Sequence, residues 1–386
     1  MTCDGGLGKL ESADIDALLR GLEIFGTGGG GSVGFGRAIM ENDFARGREY
    51  ELIELPDVPD NALIVSGGIM GSVKVLDRFP PEEIVSSWEE QFEPMLALRA
   101  MEKRFGRKVD FLVPFELGGL NTPVILSLAA RAGIPIINGD GVGRAAPETQ
   151  MTSFIGHGVS LTPMPLVDWK GNTVIVEDSA SIFFPDEVGR FVVTRAGGLG
   201  ANSHYAMDGT RAKLAVIPGT IGDALRLGRA VGDIADPSAI VEHIGREVGA
   251  KLAFAGRVEA LREEEAMGFL VQTASIAGSG HYEGQILDVV MKNEFMMASK
   301  GDSIGCMFPD LILMVDDRGR GVMSADLKEG QDVHVLVGQC HSRLREAVYD
   351  SVGREALGPG RYGRPDLAYR PVEELSSEWG LTWAKS

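Results

Sequence analysis

Apolar residues near the start of the chain recur at helical spacing. Ile15, Leu18, Leu19 and Leu22 would share one helix face, with Ser12 or Asp14 as the cap. The string FGTGGGG (25–31) interrupts this pattern, and a second helix is expected over about 33–45. The pattern then shortens. YELIEL (50–55) and ALIVSG (62–67) read as strands, and Pro80-Pro81-Glu82-Glu83 opens a long helix expected to reach about Arg104. VDFLVPF (109–115), NTPVILSLAARAG (121–133) and IPIIN (134–138) form a strand, a helix and a strand with short joins. That is a βαβ unit, so its two strands should be parallel.

Strands are expected in LTPMPLVDW and NTVIVED around the Lys170-Gly171-Asn172 turn, and helices at 218–231 and 237–249. From about 251 the pattern is mostly short strands separated by Gly/Asp turns, such as Asp316-Asp317-Arg318-Gly319. The expected architecture is an α/β amino-terminal domain (1–165) with βαβ units and parallel strands. A β-rich carboxyl-terminal domain (166–386) follows, with helices at about 218–249.

Composition narrows the range of functions. The chain has 386 residues, 44% hydrophobic, which suffices for a large core. A net charge of −18 opposes binding to nucleic-acid backbones and anionic membranes, so neither partner is expected. Cys3, Cys306 and Cys340 are far apart and form no C-x-x-C pair, which fits a reducing, cytoplasmic setting. The opening MTCDGGLGKLESADID lacks the apolar core of a signal peptide, and no run reaches the length of a membrane span. Acidic enzymes of this size are often symmetric, so a homo-oligomer is expected.

Ligands of open parallel sheets bind beyond the carboxyl ends of the strands. Two polar clusters fall there. Glu116-Leu-Gly-Gly-Leu-Asn121 follows the first βαβ strand, and Asn138-Gly-Asp-Gly-Val-Gly-Arg144-Ala-Ala-Pro-Glu148 follows the second. Glu116, Asp140, Arg144 and Glu148 are the candidate catalytic residues. A carboxylate pair can move protons or hold a divalent metal, and Arg144 offers a forked cationic donor. Gly118, Gly119, Asn121, Gly141 and Gly143 would let a substrate approach the backbone. His157 could reach the same rim. His281, in GSGHYEGQ, could point into an interdomain cleft. Asn293-Glu294 could also face it, because Glu294 is a lone acid in an apolar run.

FGTGGGG, Glu116–Asn121 (E-x-G-G-x-N) and Asp140–Met151 (D-G-x-G-R-A-x-P-E-x-Q-M) together resemble the signature of the S-methyl thiohydantoin desulfurase family. The likeness continues through 217–230, KNEFMMASKGD and PDLILMVDD. It implies an α/β domain followed by a β-rich one. It also implies a hydrolase acting on a hydantoin-like or thiohydantoin-like cyclic amide, with an association with hydantoinase-type partners. The family pattern carries an acid where this chain has Asn138, and the segment around His281 is unlike it.

Gly26, Gly28 and Gly31 also match the G-x-G-x-x-G spacing of dinucleotide loops. That fingerprint needs a strand before the loop, whereas a helix is expected here. The loop is therefore expected to wall the pocket, with Gly28, Gly29 and Gly30 against the ligand. A nucleotide-dependent enzyme and a non-catalytic binding partner of a hydantoinase-type enzyme are the competing readings.

Overall fold

A computed structural model describes residues 8–71, 80–232, 234, 236–266 and 269–383. The opening segment with Cys3 lies outside the described residues. Among them, eight strands form the first sheet: β1 (Lys9–Leu10), β2 (Tyr50–Ile53), β3 (Leu63–Gly71), β4 (Phe111–Pro114), β5 (Ile136–Ile137), β7 (Met164–Asp168), β8 (Thr173–Val176) and β9 (Leu199–Asp208). Their order is β1-β2-β5-β4-β3-β9-β7-β8. β2, β5, β4 and β3 run parallel, as the βαβ pattern predicts, and β9, β7 and β8 are antiparallel. A short ribbon pairs β6 (Gly139–Asp140) with β10 (Ile217–Pro218).

The second sheet contains β11 (Ala250–Ala266), β12 (Phe269–Gly278), β13 (Ile286–Lys292), β14 (Glu294–Lys300), β15 (Ser303–Met307), β16 (Leu311–Val315) and β17 (Asp332–Gly338). It is wholly antiparallel and curls until β14 and β15 approach β16 from the other end. This is the β-rich domain expected from the sequence. Helices at Ser342–Tyr349 and Ser351–Leu357 and a short one at Val372–Leu375 follow the sheet; the strand-dominated reading did not include them. No helix among the described residues is long and apolar enough to cross a membrane.

The helix expected from Pro81 to about Arg104 is two helices, Pro81–Ser87 and Glu93–Phe105. Phe92 is extended (φ −116°, ψ 101°), and Pro94 has no N–H to continue a ladder, so the helix restarts there. The glycine loop does join two helices, Ile15–Phe25 and Val33–Ala45; the Ser32 side chain caps the second by accepting from Gly34 N–H.

Register explains where the cleft opens. β3 pairs with β4 only as far as Gly67↔Pro114, whereas its pairing with β9 continues from Gly68↔Asn202 to Gly71↔Leu199. β4 gives way there to the turn carrying Glu116, and among the described residues no strand neighbours that side of β3 beyond Gly67. The glycine loop covers this turn by backbone contact. A Cβ on Gly118 would lie 2.4 Å from the Gly30 carbonyl oxygen, and one on Gly30 2.8 Å from the Gly118 Cα. Only bare backbones pack this closely. Gly118→Ala is expected to cost about 1–3 kcal/mol of stability, measured as a lowered denaturation midpoint with an unchanged slope.

Candidate functional site

A cleft of about 830 Å³ lies between the end of β3, the Glu116 turn, and the β13–β14 hairpin of the second sheet. Glu116 is carried there by β4, whose apolar run ends at Pro114. Its carboxylate accepts from Asn121 Nδ2 at 2.6 Å and from Ala146 N–H at 2.6 Å. Glu294 comes from the opposite wall. The β13–β14 turn is a single residue, Asn293, held at φ 64°, a conformation that asparagine tolerates. The turn points Glu294 into the cleft, where Oε1 accepts from Asn293 Nδ2 at 3.0 Å and Oε2 has no partner among the described residues.

Both acids are almost wholly buried, Glu116 at 3% exposure and Glu294 at 1%. Burial and the Glu294 charge push Glu116 well above the usual carboxylate range. Burial pushes Glu294 up to about 7, against the pull of the Arg144 charge. Two carboxyls coupled in this way titrate as a pair, and near neutrality the pair holds a proton and a negative charge together.

The structure sorts the sequence candidates. Glu116, Glu148, Asn121 and Gly29 line the cleft. Glu148 is clamped by Lys292 Nζ (2.5 Å), Gln150 Nε2 (2.9 Å) and the Arg361 guanidinium, so its carboxylate anchors a wall. Asp140 lies outside the lining. It is fully buried and accepts from Val142 N–H (2.9 Å) and Gly143 N–H (2.8 Å), folding its own loop. Burial raises its carboxyl to about 7.

Arg144 is also outside the lining. Its guanidinium donates to the carbonyls of Asp310 (2.8 Å), Phe295 (2.7 Å) and Ala145 (3.1 Å), bolting the first domain to β14. It acts on the cleft through charge, by its pull on Glu294.

Gly28, Gly30, Gly118, Gly119, Gly141 and Gly143 do not line the cleft; the first five allow close packing, and Gly143 takes φ 72° in the turn closed by Asp140. Gly28 bridges to Met323, Gly119 packs on Val33, and a Cβ on Gly141 would strike Phe115 and Phe154. A Cβ on Gly29 would sit 1.9 Å from Glu294 Oε1, so the bare loop admits this acid. His281 stands on an exposed turn between β12 and β13, against Tyr282. His157 is bonded to the Arg343 carbonyl, also away from the lining. Asn138 is a joint: Nδ2 donates to Glu54 and Oδ1 accepts from Gly222 N–H. Asn138 therefore lies outside the cleft lining.

Asn202 and His204, on the cleft face of β9, were not singled out from the sequence. Polar residues two apart in an otherwise buried stretch (LGANSHYAMD) were the available signal. Among the described residues, no three His, Cys, Asp or Glu side chains converge as a group that could hold a metal ion.

The S-Me-THD-like N-terminal domain model matches residues 13–178, and the S-Me-THD-like C-terminal domain model matches 181–372. A crystal structure of a protein from Chromobacterium violaceum shares the fold, with a TM-score of 0.73 and 22% identity. The match covers 94% of this chain and 99% of that one. No curated protein sequence matches the chain. Two matched domains in order account for almost all of the sequence, and the chain belongs to the S-Me-THD-like family.

Proposed function

We propose that the protein is a hydrolase that opens a carbon–sulfur or carbon–nitrogen bond in a hydantoin-like ring, with an S-methyl thiohydantoin as the type substrate. The observation that carries this reading is the buried Glu116–Glu294 pair at the end of β3 and β4. Hydrolysis at ring carbon 2 needs a base for water and an acid for the ring nitrogen. A singly ionised pair of carboxyls supplies both.

In this scheme the ionised member takes a proton from water as its oxygen bonds to carbon 2. The protonated member gives its proton to the ring nitrogen. Collapse then breaks the carbon–sulfur bond. The new hydroxyl loses its proton to the regenerated carboxylate, and the departing sulfur takes one from the other carboxyl. The products are the ring carbonyl and methanethiol, and both acids return to their starting state. Asn121 and Ala146 N–H fix the Glu116 oxygens, so little rearrangement is needed during the reaction. The family membership supports the substrate class, and the arrangement of the two acids supports the reaction type.

Glu116→Gln and Glu294→Gln are each expected to lower methanethiol release from an S-methyl thiohydantoin by about 100-fold or more, with circular dichroism unchanged. Near-normal turnover in either variant would overturn the assignment. The kcat/KM profile of the wild-type protein should be bell-shaped. Below the first ionisation of the pair there is no base, and above the second there is no acid.

Stability should carry the same signature. An unfolded Glu294 loses its proton near the ordinary value of 4.5, but the folded one holds it to about 7. Stability therefore falls as pH rises through that window. Denaturant titrations of Glu294→Gln should show a flatter dependence across it.

A further inference from the structure

The floor of the cleft carries polar groups that the two acids do not use. Asn202 and His204 are two apart on β9 and so share a face; Gly68 on β3 lies directly opposite Asn202. Among the described residues, Asn202 Oδ1 and His204 Nδ1 have no hydrogen-bond partner, although the two residues are only 4% and 1% exposed. Buried polar atoms are nearly always paired, so two orphans on one cleft face point to a missing ligand. Burial also pushes His204 down to about 3, so its imidazole is a neutral group with one donor and one acceptor nitrogen.

The backbone is shaped around this face. The β3–β9 register shifts between Ile64 and Ser66, which leaves a bulge at Tyr205, just after His204. Tyr205 takes φ 52°, costly for an aromatic residue, and is held there by its hydroxyl donating to the Thr149 carbonyl at 2.9 Å. Bulges of this kind re-aim a neighbouring side chain. Gly68 is the complementary feature. Its φ is not in the left-handed region, and among the described residues a Cβ there would meet only Asn121 Oδ1, at 3.7 Å. Neither backbone conformation nor packing calls for a glycine at this position. A side chain would project toward Asn121, a residue of the cleft wall.

We propose that Gly68, Asn202 and His204 form a ring-recognition subsite for a planar, uncharged cyclic amide. The ring lies over Gly68. The Asn202 carboxamide pairs with ring N3–H and the adjacent C4=O through two parallel hydrogen bonds, and His204 donates to the second lone pair of that carbonyl oxygen. A primary carboxamide matches the cis-amide edge of such a ring, as it matches the edge of a nucleobase. The assignment rests on the hydrolase reading for its ligand class, and binding measurements test it independently of turnover.

Calorimetry on the full chain with hydantoin and N3-methylhydantoin is the test. The wild-type protein should bind hydantoin at least tenfold more tightly than the N3-methyl ring, which lacks the N3–H that Asn202 reads. Asn202→Leu should bind both weakly and equally. Gly68→Ala should weaken hydantoin binding at least tenfold with an unchanged melting temperature. Equal affinity of the wild-type protein for the two rings, no hydantoin binding, or wild-type affinity in both variants would each overturn the subsite. The ligand comparison needs no variant, so a misfolded mutant cannot obscure it. Methanethiol release run in parallel separates the two proposals. Discriminating binding without release would leave the subsite standing and remove the hydrolase reading; release without discrimination would do the reverse.

Discussion

A guanidinium buried at the junction of two sheets organises this molecule. Arg144 leaves the loop after β6 and spends its donors on main-chain carbonyls, two of them in the second domain. Removing such a cation from water costs several kcal/mol unless it is compensated. Here the carbonyl dipoles, the face of Phe308 and the charge of Glu294 provide the compensation. Asp310, whose carbonyl receives one of these bonds, extends the same junction. Its carboxylate accepts from Cys340 N–H, Val372 N–H, the Tyr369 hydroxyl and Arg345. The position of β14, and with it the position of Glu294, follows from how this cation is satisfied.

The cleft is built from opposed costs. Burial makes its two central acids resist ionising together, and the charge of Arg144 pulls Glu294 back toward its ionised form. The glycine loop contributes by subtraction: Gly29 has no side chain, so the Glu294 carboxylate can come up against the main chain. A loop with the spacing of a phosphate cradle thus meets a carboxylate of its own protein. Its flanks explain the difference, because a helix comes before it where a nucleotide site would have a strand.

Much of this was legible in the sequence because the signals were local. The Ile15–Leu22 spacing and the return of apolar residues after the loop marked the two flanking helices, and the contiguous runs at 109–115 and 134–138 marked the parallel pair. Glu116 could be found because it follows one of those strands. Asp140 and Arg144 carry equally conspicuous motifs, but the chain uses them to fold a loop and to join domains. Local spacing cannot distinguish a carboxylate turned to its own backbone from one turned to a ligand. Asn202 and His204 were hidden for a different reason. β9 reaches the cleft by pairing with β3 across more than a hundred residues, and no short-range pattern encodes that partner. Glu294 fell between these cases: a lone acid among methionines was visible, whereas the Asn293 turn that aims it was not.

The two acids stand on opposite sides of the boundary between the matched domains, Glu116 before residue 178 and Glu294 after residue 181. The pair of buried acids thus belongs to neither half, and each half by itself carries only one of the two. In evolutionary terms this binds the halves into one heritable unit. A recombination that exchanged the carboxyl-terminal module would replace one of the two acids, along with the carbonyls that hold Arg144. Variation across the boundary should accordingly be correlated at the junction and relaxed on the outer faces.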